Sequence, residues 1–139
     1  MDIDLSTGAP PSPGRTLKLA ETLPDIMRTL NHQTMHHEAL EYPAELDKLI
    51  RAAEIMVQRL PQLLTQAVRW VVAEHDAGRI EVSHGEWPGR PAAAVVALQV
   101  RRDGAIAAAE DLQAALAGMA QVTSCLEAAE TGEDGGDDA

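Results

Sequence analysis

Residues 44–77 read AELDKLIRAAEIMVQRLPQLLTQAVRWVVAEHDA, with apolar side chains at Leu46, Leu49, Ile50, Ala53, Met56, Val57, Leu60, Leu63, Leu64, Ala67, Val68 and Val71. Steps of three, four and one draw these residues into a stripe along an α-helix. Pro61 interrupts the stretch. Inside a helix it removes one hydrogen bond and crowds the carbonyl of Val57, at about 3 kcal/mol. The stripe nevertheless keeps its phase through Leu60, Leu63, Leu64 and Ala67. A loop at Pro61 would lose that phase, so the pattern predicts one kinked helix of about 51 Å. Gly78 suits its C-cap.

Only 2% of the 139 residues are aromatic and none is Phe, while 45% are hydrophobic. A core made of Leu, Val, Ile, Met and many Ala favours closely packed helices over sheets. A second long helix is predicted over residues 91–129, opened by Pro91. Its stripe is Val95, Leu98, Arg102, Ile106, Ala109, Leu112, Leu116, Met119, Val122 and Leu126. This near-heptad spacing is the kind that coiled coils use. A shorter helix is predicted over residues 24–41. Pro24 suits a first helical position, and Tyr42-Pro43 suits a stop.

The expected fold is therefore all-α: a long antiparallel helical hairpin with a shorter N-terminal helix, a three-helix bundle with disordered termini. Residues 1–15 read as a flexible leader rich in Pro and Gly. Residues 16–129 read as one helical-bundle domain, and residues 130–139 as a disordered acidic tail. That tail suits solubility, or docking on a basic partner.

The lengths suggest where a partner binds. The first helix reaches only as far as the neighbourhood of Pro61, leaving residues 62–77 and 91–105 as a two-helix end. That end is apolar on more than one side, which a lone pair of helices cannot bury. Val68, Trp70, Val71, Val72, Val96 and Val100 are the expected contact residues, with Trp70 as anchor. The end is expected to be covered by another molecule or by the leader segment around Leu17 to Leu23; a second copy would complete a four-helix bundle about a two-fold axis, so a homodimer is expected, or else a single different protein partner.

The other function classes draw less support. A net charge of −11 opposes binding to a phosphate backbone or an anionic membrane surface. No apolar run approaches the ~20 residues of a membrane span, and no signal-peptide pattern opens the chain. The expected setting is cytoplasmic. Cys125, the only cysteine, rules out an internal disulfide and reads as a small core residue. No nucleophile triad, P-loop or dinucleotide glycine pattern is present, so the chain reads as non-enzymatic and without a cofactor.

His32 and His36 stand four apart, the spacing that lets two imidazoles share a metal from one helix face. Both fall opposite Leu30, toward water, whereas His37 falls on the apolar stripe. Glu74, His75 and His84 are the candidate third ligands, but they belong to the far end of the hairpin. Trp87-Pro88-Gly89, a W-x-G in the turn between two long helices, resembles the WXG100 family of small secreted helical hairpins. The resemblance implies a secreted hairpin acting as a dimer or export partner. It covers three residues and the architecture. An extra helix precedes the hairpin, and no Tyr-x-x-x-Asp/Glu signal follows it.

Overall fold

The structure, a computed structural model, describes residues 3–130. It is all-helical: α1 spans Pro13–Thr34, α2 spans Pro43–Asp76 and α3 spans Pro91–Thr123. A single 3₁₀ turn, His37–Ala39, follows α1, and no strand occurs among the described residues. Residues up to Glu41 form one compact unit, and a second begins at Tyr42.

In the first unit the helix starts earlier than its sequence pattern predicts. Ser12 is the N-cap: its hydroxyl accepts the Arg15 N–H at 3.2 Å, and Pro13 fills the first helical position. Pro24, expected to open the helix, lies within it. The Arg15 guanidinium donates to the carbonyls of Asp4 (3.0 Å) and Ser6 (2.6 Å) and lies 3.4 Å from the Asp4 carboxylate. α1 stops at Thr34 rather than at residue 41. The run Asn31-His32-Gln33-Thr34 is a weak helix former. Past it, His36 turns to extended backbone.

The second unit is the hairpin. α2 begins after Tyr42, whose N–H donates to the Glu45 carboxylate at 3.3 Å. It runs unbroken through Pro61, as its phase requires. It ends in a Schellman arrangement: the Gly78 N–H reaches the His75 carbonyl and the Arg79 N–H reaches that of Glu74, both at 2.9 Å. Gly78 has φ +72°, where a Cβ is strained. Arg79 also grips the Glu74 carboxylate with two bonds of 2.7 and 2.8 Å, which holds that carboxyl below its ordinary pKa.

The start of α2 packs against the end of α3, so the pair is antiparallel. One hydrogen bond sets the register: the Thr123 hydroxyl donates to the Asp47 carboxylate at 2.7 Å. Arg51 Nε donates to the other carboxylate oxygen at 2.9 Å. These two bonds, Thr123 first, hold the Asp47 carboxyl below the usual range.

Both helices rise by about 1.5 Å per residue, so equal steps from that bond bring other positions level. Val57 comes level with Gln113, Pro61 with Ala109, Leu64 with Ile106 and Val68 with Arg102. Beside Leu46, Leu49, Ala53 and Leu60, which are half-buried off this count, a row of buried and half-buried positions follows it. In α2 they are Asp47, Ile50, Glu54, Val57, Pro61, Leu64, Val68, Val71 and His75; in α3 they are Val95, Gln99, Arg102, Ile106, Ala109, Gln113, Leu116, Ala120 and Thr123. All are buried or half-buried, and the steps alternate between three and four on both helices. Pro61 thus sits level with an alanine, which leaves room for its ring. Arg102 lays its stem along the seam and turns its guanidinium out to Asp103 at 2.9 Å.

Candidate interaction face

The buried seam is not the stripe that hydrophobicity alone selects. Leu98, Leu112, Met119 and Val122, assigned to the core of α3 by their spacing, are exposed. Gln99 and Gln113 are half-buried in their place. Most apolar residues of each helix fall on two stripes, and only one of these is centred on the other helix; Ile55, Val72, Val96 and Val100 fall on neither.

The second stripe keeps the same repeat. On α2 it is Leu46, Leu49, Ala53, Met56, Leu60, Leu63, Ala67 and Trp70, in steps alternating between three and four. On α3 it is Leu98, Arg101, Ala105, Ala108, Leu112, Ala115, Met119 and Val122, with the same alternation. At ~100° per residue, each stripe lies about 100° from its helix's buried seam, rotated in the same sense. The helices run in opposite directions, so equal rotations from the shared seam bring both stripes to one side of the pair. That side of the hairpin is a continuous apolar face. Its outermost side chains are open to solvent: Met56 42%, Leu63 51%, Trp70 63% and Leu112 50% exposed.

The opposite side is built differently. It carries Lys48, Arg51, Gln58, Gln62 and Arg69 from α2, with Asp103 and Glu110 from α3. Toward the loop it also holds Val72, Val96 and Val100.

These placements divide the six contact residues expected from sequence. Val68 is only 5% exposed and belongs to the buried seam, so it is not a surface residue. Val71 is half-buried in that seam. Trp70 lies on the apolar face, as expected. Val96 and Val100 are well exposed but stand on the opposite side, with Val72. The sequence reading missed the rest of the face, chiefly Met56, Leu63, Leu112 and Met119. The alternating step that marks it was present, superposed on the step of the buried seam.

The face carries no carboxylate between Leu46 and Trp70 or between Leu98 and Val122. Its single charge, Arg101, is held at its edge. The guanidinium stacks 5.4 Å from the centre of the Trp87 ring and lies 3.6 Å from the Glu86 carboxylate. Trp87-Pro88-Gly89 lies in the α2–α3 connection. The Gly89 N–H closes a turn on the Val82 carbonyl at 2.8 Å.

His32 and His36 meet edge to face with ring centres 5.4 Å apart, both exposed. His37 is exposed as well, off any core. No group of three or more His, Cys, Asp or Glu that could hold a metal forms among the described residues. Cys125 is exposed rather than packed inside, because α3 has ended two residues before it. Among the described residues, no helix is long and apolar enough to cross a membrane. The predicted acidic tail, beyond Glu130, lies outside the described residues. No family model, curated protein or solved structure matches the chain.

Proposed function

We propose that this chain is a non-enzymatic association protein: a small acidic helical hairpin that works by binding another protein surface, as a homodimer, through coiled-coil-like packing. The observation that carries this reading is the exposed apolar face of the α2–α3 pair, two stripes long and almost free of charge. Monomeric proteins leave single apolar residues in water freely, but a contiguous apolar strip several turns long marks a contact surface. An accessory or adaptor role follows from such a surface.

Sedimentation equilibrium of the full chain from about 1 to 100 μM tests the reading. A mass that rises from one chain to two supports it. A single-chain mass throughout counts against the homodimer.

A further inference from the structure

We infer that the apolar side of the hairpin is buried against the same side of a second copy, so that two hairpins close into a four-helix bundle. This rests on the association reading above and adds the arrangement: which side meets which, and how the four helices run. Three observations choose a second copy.

The first is area. From Leu46 to Trp70 the α2 stripe is about 36 Å long. Two helices ~10 Å apart present a strip about 20 Å wide. Each copy therefore contributes roughly 700 Å², and the pair roughly 1,400 Å², within the range of stable, specific interfaces. The second is charge. A chain carrying −11 would attract a basic partner to its carboxylates, but the apolar side has none to offer. A charged partner would bury its own charges there unpaired. The surface that matches a face whose one charge, Arg101, is already engaged by Glu86 and Trp87 is another such face. Stacking two copies this way keeps the acidic residues outside and apart.

The third is shape. Along this side α2 presents large residues, Met56, Leu63 and Trp70, whereas α3 presents Ala105, Ala108 and Ala115 between its larger ones. Both stripes share one repeat in opposite directions. Turning a copy about the long axis of the hairpin keeps each level, so Leu63 of one α2 falls between Ala105 and Ala108 of the other α3, and Met56 beside Ala115. Every neighbouring pair of helices in the resulting bundle is antiparallel, the usual arrangement of up-and-down bundles.

The test uses the full chain. Wild type, Leu63→Glu, Ala108→Glu and Val100→Glu are compared by sedimentation at on the order of 100 μM, with helicity checked by circular dichroism. The expected result is a two-chain mass for wild type and Val100→Glu, and a mass halved to one chain for Leu63→Glu and Ala108→Glu. Dimers that survive both face variants overturn the proposal and leave the association reading standing. So do dimers that only Val100→Glu dissolves. A wild type that stays monomeric overturns both.

A variant that loses its helicity is replaced by a milder probe: a single cysteine at position 63 or 100 in a Cys125→Ser background. Alkylation at 63 should be slowed relative to 100, and the difference should vanish on dilution. Protection at 63 that persists at every dilution in a monomer means that another part of the chain covers the face, which overturns the proposal. Equal rates at both positions overturn it as well.

Discussion

Replacing Pro61 by alanine measures what the proline costs the hairpin. Pro61 lies deep within α2, with helix continuous on both sides. It leaves the carbonyl of Val57, a residue 3% exposed, without its helical N–H. Alanine restores that bond and removes the ring's clash, a gain of up to about 3 kcal/mol. Two effects oppose it. Proline stiffens the unfolded chain, and losing that stiffness costs about 0.4–1 kcal/mol. The half-buried ring also covers the seam level with Ala109, and removing one or two methylenes there costs about 1 kcal/mol. The balance is a stabilisation of about 1 kcal/mol. With an m-value of about 2 kcal/mol/M, the urea midpoint should rise by about 0.5 M at fixed protein concentration, read by far-UV circular dichroism. A midpoint that falls by as much would refute the reasoning. It would mean that the ring's packing against α3, or the bend it imposes, outweighs the missing hydrogen bond.

Asp47 should make the hairpin acid-sensitive. Its carboxyl is depressed by the Thr123 hydroxyl and then by Arg51, so the unfolded chain binds the proton more readily than the folded one. The stabilisation is present above the unfolded pKa and is lost as pH falls through the lower folded value. Thr123→Val removes the larger cause, so urea midpoints measured from about pH 5 to pH 2 should fall less steeply in the variant than in wild type. An unchanged slope would show that the bond does not hold in solution. Gly78→Ala should destabilise by about 1 kcal/mol, since nothing crowds a Cβ there but φ is +72°; a smaller loss for Gly78→Asn, read from thermal midpoints, would confirm the conformational cause.

The long elements were legible in the amino-acid sequence because caps and phase coincide there. Pro43, Gly78 and Pro91 mark ends that the structure places within a residue of where the pattern does. At α1 two signals competed. Pro24 and Pro13 both suit a first helical position, and only the Ser12 hydroxyl, bonded to Arg15, decides between them. The buried seam was the harder problem. Hydrophobicity ranks Leu98, Leu112 and Met119 above Gln99 and Gln113, yet it is the two glutamines that are half-buried, as is Arg102, which the spacing does place on the stripe. A stripe search that takes every apolar residue merges two faces about 100° apart into one. Trp70, expected as an anchor because it is a large aromatic at the apolar two-helix end, is exposed. Val68 was misplaced because the pattern around it is apolar in every direction.

The division of polarity between the two stripes explains how one hairpin combines definite register with an unfinished surface. Two helices with an alternating three-and-four repeat can slide by seven residues and still match apolar to apolar. The inner seam forbids this, because it is not uniformly apolar. In the observed register Asp47 meets Thr123. One heptad out of step, Asp47 would lie level with Leu116, losing that bond and burying its carboxylate against an aliphatic side chain. The carboxylate would keep only Arg51 and lose the Thr123 hydroxyl, and the loss of a hydrogen bond to a charged, half-buried group favours the observed register. Glu54, Gln99, Arg102 and Gln113 add further positions where slippage changes the neighbour of a polar group. The outer stripe from Leu46 to Trp70 carries no polar residue, so it penalises no misalignment and contributes apolar area alone. Register is therefore set inside the hairpin, and the outer stripes are presented as an aligned apolar strip, ready-made for the second copy proposed above. This ordering lets an aromatic-poor chain, with seven polar residues among the eighteen of its inner seam, place its most apolar repeat outside.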